Sequence, residues 1–173
     1  PIFKEDKTLV LIFNGEIYTY RQLPEQLVQK GHRFATETDS EVWVHGFEEW
    51  GEQLLNRLRG MFAFAIWNTK DQSLFLARDF FGIKPMHYTQ VGQSFVYASE
   101  IKSILPFPGF EKKFNRRALD NYLSFQYAVP PETFFEGVYC LLPGHYLWYR
   151  DGKVTTPRYF DPTYAPDDSI TEE

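Results

Sequence analysis

Apolar runs and alternating segments along the chain predict strands, most of them arranged in hairpins. The first run, residues 8–13, is apolar and β-branched, which predicts a strand buried on both faces. Three pairs of apolar segments flank short polar turns and predict hairpins: 61–67 with 74–77, 86–89 with 95–98, and 146–150 with 154–160. Asp151-Gly152, between the last pair, is typical of a two-residue turn. Further short strands are predicted near residues 33–38 and 135–139.

Apolar residues spaced three and four apart predict helices between these strands. The predicted helices cover residues 20–30, 39–50, 51–60, 99–105 and 115–125. Apolar stripes are expected to face inward, and they comprise Leu23, Leu27 and Val28 in the first helix and Leu119, Tyr122 and Leu123 in the last. Ser99 with Glu100 is expected to cap the fourth helix, and Asn115 to open the fifth.

Hairpins combined with two groups of helices predict a mainly antiparallel α+β domain. Two stacked sheets with helices outside them would cover strands that are apolar on both faces. Residues 1–160 are expected to form this domain. Residues 161–173 are Pro-rich and acidic, and we interpret them as a linker or frayed tail.

Net charge, the length of the apolar runs and the cysteine count argue against several classes of function. The 173 residues carry a net charge of −5, which argues against nucleic-acid or anionic-membrane binding. No apolar run is long enough to span a bilayer. The single cysteine, Cys140, excludes an intrachain disulfide and suits a reducing compartment, so we expect a cytoplasmic protein.

The dipeptide Asn14-Gly15 follows the first apolar run directly and is the first candidate for chemistry. On its own, such a pair predicts a type I′ turn. No alternating strand follows it immediately, which favours a second interpretation. A side-chain amide beside a glycyl N–H offers two neutral donors, which is what an oxyanion hole requires.

Two acidic residues are candidates for binding an ammonium group. Asp39 stands at a predicted strand-to-helix junction, where it would also serve as a helix N-cap. Glu16 could bind the same cation or could simply be solvated. Both alternatives stay open for both residues.

Other polar residues favour structural roles. Arg78-Asp79 ends a predicted strand, and a buried ion pair that fixes the following turn is favoured over catalysis. Cys140 is interpreted as a buried small residue, because no basic neighbour is evident that would lower its pKa. The four histidines lack metal-ligand spacing, so no metal site is predicted; they are His32, His45, His87 and His145. No phosphate-binding loop is found.

Six segments, read together, carry a resemblance to a known family. They are FNGEIYTY at 13–20, TDSEV at 38–42, LRGMFAFAIWN at 58–68, LARDFFGIKPMHY at 76–88, ASEIKSIL at 98–105 and LPGHYL at 142–147. In this order and spacing, they resemble the class II glutamine amidotransferase domain of glutamine-hydrolysing asparagine synthetases. The resemblance covers residues 1 to about 160.

The resemblance implies a four-layer αββα N-terminal-nucleophile hydrolase fold and a glutaminase activity. In that family an N-terminal cysteine attacks the carboxamide carbon of glutamine, with its own α-amine as the base. Asn14 and Gly15 match the residues that hold the oxyanion, and Asp39 and Glu16 those that bind the substrate's α-amino group. Ammonia then passes to a synthetase domain of the same polypeptide, which uses ATP and Mg²⁺ to convert aspartate to asparagine. No cofactor is implied for residues 1–173.

The printed chain departs from this pattern at the nucleophile. Its first residue is Pro, and the resemblance implies a cysteine several dozen residues before Asn14. We therefore expect a fragment lacking both the N-terminal segment and the synthetase domain, without glutaminase activity of its own. Because the missing segment would supply strands, the chain is also expected to self-associate.

Two alternative interpretations remain open. The chain could belong to another class II amidotransferase with a different acceptor. It could instead be a non-catalytic, truncated binding module.

Overall fold

The computed structural model describes residues 1–19, 23–34 and 39–164, without the side chains of residues 39 and 40. The elements in that part of the chain are β1 (Ile2–Phe3), β2 (Leu9–Ile17), α1 (Leu23–Gln29), α2 (Asp39–Trp50), β3 (Gly60–Asn68), β4 (Ser73–Arg78), β5 (His87–Val91), β6 (Ser94–Ala98), α3 (Ile101–Ile104), α4 (Arg116–Phe125), β7 (Tyr139–Cys140), β8 (Tyr146–Arg150) and β9 (Lys153–Thr155). A 3₁₀ helix, Gly51–Asn56, follows α2 directly.

The strands form two antiparallel sheets. The large sheet has the order β1-β2-β3-β4-β8-β9, and the small sheet has the order β6-β5-β7. The three predicted hairpins are present as β3–β4, β5–β6 and β8–β9. Asp151 and Gly152 both have positive φ, as a type I′ turn requires.

An aromatic core lies between the large sheet and helices α1 and α2. Trp43 of α2 is fully buried, and its ring centroid lies 4.5 Å from that of Phe64 and 5.1 Å from that of Phe62. Phe75 extends the same cluster across β4. Rings of this size bury more apolar area than other side chains, so they anchor the helices on the sheet.

A second core fills the space between the two sheets. Ala63, Ala65 and Leu76 of the large sheet pack with Met86 and Leu141. Small side chains at positions 63 and 65 let the sheets approach. The stacked sheets, with helices on the outer face of the large one, confirm the predicted α+β layered architecture. Among the described residues, no helix is both long enough and apolar enough to cross a membrane.

β2 departs from the prediction because only one of its faces is buried. Leu9, Leu11 and Ile17 point into the aromatic core, whereas Ile12 on the opposite face is 51% exposed. The apolar run was therefore misinterpreted as a strand covered on both sides. Nothing in the run itself distinguishes a covered face from an open one.

Two helical stripes were also wrongly assigned. In α4, Tyr122 and Leu123 are exposed and Leu119 is half-buried, and in α1 Val28 is exposed. Asn115 does cap α4 as predicted, because its side chain accepts a hydrogen bond from the Ala118 N–H. Periodicity shows which residues share a face, but it does not show that another element covers that face.

Several predicted boundaries shift. Residues 33 and 34 form no strand, and 35–38 lie outside the described residues, as do 20–22 at the start of the first predicted helix. Of the predicted strand 135–139, only Tyr139 belongs to a strand, since β7 comprises Tyr139–Cys140, and β9 ends at Thr155. Glu100 precedes α3 but makes no capping hydrogen bond through its side chain.

Candidate functional site

The Asn14-Gly15 pair lies within β2, not at a turn. Asn14 is paired with Ala63 of β3, and Gly15 with Phe62. The turn interpretation is therefore wrong, and so is the expectation that the strand ends before the pair. The strand continues because Ile17 restores the apolar alternation and is 1% exposed.

Gly15 is required by the close approach of β3. Its φ is +146°, and a Cβ at this position would lie 2.1 Å from the Met61 carbonyl oxygen and 2.7 Å from the Phe62 Cα. Gly60 on β3 is packed similarly, because its Cβ would lie 2.2 Å from the Glu16 carbonyl oxygen. Two glycines thus let the strands meet closely beside Asn14.

The backbone N–H of Gly15 points to an open edge of the large sheet. Tyr18 donates its N–H to the Arg59 carbonyl at 2.7 Å, so even-numbered residues of β2 bond towards β3. Odd-numbered residues, including Gly15, therefore face the opposite edge. There β1 pairs only with Val10 and Leu11. Within the described residues, no strand covers the Gly15 N–H.

The Asn14 side chain stands beside this N–H on the face that looks towards the small sheet. Its Nδ2 donates to the Ser99 Oγ at 3.4 Å. A cavity of about 300 Å³ opens here, lined by Ile12, Phe13, Asn14, Ala63, Met86, Tyr97, Ala98 and Ser99. The Asn14 amide thus lines a cavity between the sheets, whereas Gly15 follows it in sequence but is not among the lining residues.

Besides Asn14, the described polar side chains that line the cavity are those of Tyr97 and Ser99. His87 lies behind Ser99, and its Nδ1 is 3.0 Å from the Ser99 carbonyl oxygen. Burial lowers the pKa of His87, which keeps the ring neutral and able to donate this bond. Burial likewise raises the pKa of the Tyr97 phenol. Donors in such surroundings can stabilise a developing negative charge more strongly than they would in water.

Sequence reasoning missed the part of the site that comes from the small sheet. Ser99 and Tyr97 are 85 and 83 positions from Asn14, and Met86 comes from the loop before β5. Ser99 lies in one of the motifs that carried the resemblance. No local pattern indicates that this hairpin stacks over β2.

Neither of the two residues predicted to bind the ammonium group is seen to line the cavity. Glu16 lies on the same face of β2 as Asn14 and is exposed, but it does not line the cavity. Asp39 begins α2, and its side chain lies outside the described residues, so its predicted capping role is untested. Trp43, one turn further along α2, contacts Phe13 with ring centroids 6.1 Å apart, so α2 packs on the face of β2 opposite to the Asn14 side chain.

Arg78 and Asp79 fix the turn after β4, but not as an ion pair. The Asp79 carboxylate is buried and accepts hydrogen bonds from four backbone N–H groups, those of Phe62, Phe81, Ile83 and Lys84. Arg78 instead donates to the carbonyls of Gly82, Lys84 and Leu141. The predicted ion pair is therefore wrong, because backbone groups satisfy each side chain separately. The structural role itself agrees with the prediction.

Cys140 does have a basic neighbour, contrary to expectation. The Arg78 Nη1 lies 3.1 Å from its Sγ. Burial nevertheless dominates and raises the pKa of the Cys140 thiol, which leaves a poor nucleophile. The interpretation of Cys140 as a structural residue agrees with this geometry. The reason given for it, the lack of a basic neighbour, does not.

Comparison with known proteins gives the family. A family model described as a glutamine amidotransferase domain matches residues 1–160. The chain belongs to this family. It is 41% identical over 167 residues to asparagine synthetase [glutamine-hydrolyzing] 1 of Bacillus subtilis, covering 96% of this chain and 26% of that protein. It is 43% identical to a putative asparagine synthetase [glutamine-hydrolyzing] of Mycobacterium bovis, covering 90% of this chain and 25% of that one. This amidotransferase domain thus spans about a quarter of the length of these relatives.

Solved structures share the fold at lower identity. Glutamine phosphoribosylpyrophosphate amidotransferase from B. subtilis aligns with a TM-score of 0.58 at 23% identity, over 92% of this chain and 31% of that one. An allosteric regulatory enzyme of purine biosynthesis aligns with a TM-score of 0.60 at 23% identity, over 88% and 28%. At this identity the likeness shows the fold alone, and it agrees with the expected N-terminal-nucleophile architecture of this amidotransferase domain.

Proposed function

We propose that this chain is the glutaminase domain of an asparagine synthetase, with Asn14 and Gly15 as its oxyanion hole. The observation that carries the proposal is the Asn14 amide, which lines the cavity and is followed directly by a Gly15 N–H that no described strand covers. The family membership and the relatives at 41–43% identity support it. Ammonia released here would serve an ATP-dependent conversion of aspartate to asparagine.

The two donors would act on the carboxamide oxygen of glutamine. When a thiolate attacks the carboxamide carbon, the C=O double bond opens and its electron pair moves to oxygen. Asn14 and Gly15 would hold that oxyanion. The proton taken from the thiol passes to the nitrogen, and loss of the C–N bond then releases ammonia and leaves a thioester, which water hydrolyses to glutamate. Cys140 is unsuited to the attack, because its thiol is buried and its pKa is raised.

Acidic residues would orient the substrate. We assign the α-ammonium group of glutamine to Asp39, together with Glu16, which lies two positions after Asn14 on the same face of β2. A charge-assisted hydrogen bond to a carboxylate is stronger than a neutral one and fixes the end of the substrate remote from the reacting carbon. The family membership of the chain supports this assignment.

The remaining partners of the proposed enzyme belong to its synthetase domain. ATP and Mg²⁺ would bind there, since the cavity beside Asn14 has no basic side chain in its lining and does not fit a triphosphate. A cytoplasmic location follows from this chemistry and from the unpaired Cys140. A second candidate is an amidotransferase with another acceptor, since the chain is also 34% identical to the fungal amidase chry2 of Gibberella zeae.

The test is Asn14→Ala in the whole protein. We expect glutamine-dependent synthesis to fall by about 10²–10³, the usual loss for one oxyanion donor. Ammonia-dependent synthesis should be unchanged, because free ammonia bypasses this cavity. Asn56→Ala is the matched control, since Asn56 is exposed and bonded only locally to Gln53. Glutamine-dependent activity equal to that of the control would overturn the proposal.

The substrate assignment is tested separately by Asp39→Asn. An amide keeps a helix-capping oxygen but loses the charge, so KM for glutamine should rise while the melting temperature stays close to that of the unmodified protein. A fall in melting temperature with KM unchanged would show that Asp39 serves only to cap α2.

A further inference from the structure

The fold brings together two histidines that are thirteen positions apart in sequence. His32 follows the end of α1, and His45 lies in the middle of α2. Their Nδ1 atoms are 3.3 Å apart, and their rings are tilted by 59° with centroids 5.1 Å apart. The lack of metal-ligand spacing in the sequence therefore did not indicate that these two histidines lie side by side. Packing of α1 against α2 creates the proximity, and local spacing gives no sign of it.

Carboxylates occupy the outer nitrogen of each ring. The His32 Nε2 lies 3.3 Å from Glu49, and the His45 Nε2 lies 3.2 Å from Glu5. Because a carboxylate only accepts hydrogen bonds, each ring is best satisfied with its proton on Nε2. Both Nδ1 lone pairs then face each other. Two facing lone pairs repel unless a proton or a metal cation lies between them.

A third ligand atom faces the same point. Glu48 lies one turn after His45 on α2, and its Oε2 is 3.7 Å from the His32 Nδ1. Its other oxygen is held by Lys4 at 2.5 Å, which fixes the carboxylate in place. The ligand atoms of His32, His45 and Glu48 all lie within 4.8 Å of one another.

We propose that His32, His45 and Glu48 form a site for a divalent transition-metal cation of the Zn²⁺ class. A tetrahedral ion with bonds of about 2.0–2.1 Å to nitrogen holds its ligand atoms about 3.3 Å apart, which is the separation of the two Nδ1 atoms. Glu49 and Glu5 supply the outer hydrogen bonds that metal-bound histidines usually have. A cleft of about 390 Å³ beside the cluster leaves a fourth position for water.

The site lies apart from the cavity beside Asn14. None of its three ligands lines that cavity, and α2 packs on the opposite face of the large sheet. Its occupant would tie the loop after α1 to α2 and stabilise that helical layer. The inference is therefore independent of the proposed glutaminase chemistry.

The experiment is a calorimetric titration of the metal-stripped, untagged protein with Zn²⁺, followed by Co²⁺ absorption spectra. We expect one ion per chain, a raised melting temperature, and the visible bands of tetrahedral Co²⁺. His32→Asn and Glu48→Gln should abolish or greatly weaken binding. Glu49→Gln, which alters only an outer partner, should weaken it by about 10–100-fold.

Controls separate ligand loss from misfolding. His145→Asn removes a histidine outside the cluster and should bind Zn²⁺ like the unmodified protein. Glu48 is partly exposed, so Glu48→Gln should remain folded, which circular dichroism checks. No saturable Zn²⁺ binding, or equal binding by the unmodified protein and His32→Asn, would overturn the proposal. The proposal would also be overturned if NMR showed a proton shared between the two rings that added Zn²⁺ did not displace.

Discussion

At the scale of single residues, Gly15 is the position where fold and proposed chemistry depend on the same residue. The missing Cβ lets β3 pack against β2, and the N–H of the same residue faces the open edge of the large sheet. A glycine here could be expected from the Asn-Gly pair. The physical reason for the glycine could not be predicted, because the steric constraint comes from Met61 and Phe62, 46 and 47 positions later.

Gly15→Ala is expected to destabilise the domain severely. The backbone conformation alone costs about 1–3 kcal/mol. The Cβ would also overlap the Met61 carbonyl, and backbone cannot move aside cheaply. Gly92→Ala is the matched control, because Gly92 has φ +58° but no atom within 4 Å of its Cβ position. Thermal unfolding measures both, and equal losses would show that close packing at Gly15 is unimportant.

At the scale of elements, the sequence predicts which strands form hairpins, but it does not predict which faces of helices and strands are buried by other elements. The β3–β4, β5–β6 and β8–β9 pairs were predictable, because short polar turns join segments that alternate or are continuously apolar. The length of β2 was not predictable, because an Asn-Gly pair is found more often in a turn than in the interior of a strand. The exposure of Leu123 on α4 was not either, since periodicity does not report what lies opposite.

Asn115 makes a testable element-scale prediction at the start of α4. Its Oδ1 accepts from the Ala118 N–H, and its Nδ2 donates to Glu132 at 2.6 Å and to the Thr133 carbonyl at 3.0 Å. Asn115→Ala should lower the free energy of unfolding by about 2 kcal/mol, from a lost cap and lost hydrogen bonds.

Asn115→Asp distinguishes the two contributions. It keeps the capping oxygen but places a carboxylate against Glu132, so we expect a loss at least as large as that of Asn115→Ala at pH 7. Protonation of either carboxylate would relieve the repulsion. The loss of stability caused by Asn115→Asp should therefore become smaller as the pH falls below about 5. Denaturant unfolding at both pH values tests this. Unchanged stability of Asn115→Asp at pH 7 would mean that the cap alone matters.

At the scale of the whole molecule, the open edge of the large sheet predicts self-association of the 173-residue chain. Beyond β1, the odd-numbered groups of β2 from Phe13 onward face no strand among the described residues, and Ile12 beside them is half exposed. Open apolar edges of this kind recruit other strands. Sedimentation at micromolar concentration should show species larger than 20.5 kDa.

A lysine on this edge should oppose the association. We expect Ile12→Lys to shift the chain towards monomer, because a charged side chain on an edge strand discourages pairing. Val28→Lys is the control, since Val28 is equally exposed but lies on α1, away from the edge. A clean monomer of the unmodified chain, with cooperative unfolding, would contradict the prediction.

The most direct test of the proposed oxyanion hole is Asn14→Asp in the whole protein, with glutamine-dependent and ammonia-dependent synthesis measured on the same preparation. This change keeps the shape of the side chain but replaces its amide donor with an oxygen that repels a developing oxyanion. The account predicts a fall in glutamine-dependent kcat of about 10²–10³ or more, with ammonia-dependent synthesis intact. Glutamine-dependent turnover near that of the unmodified protein, or equal loss of both activities, would contradict it.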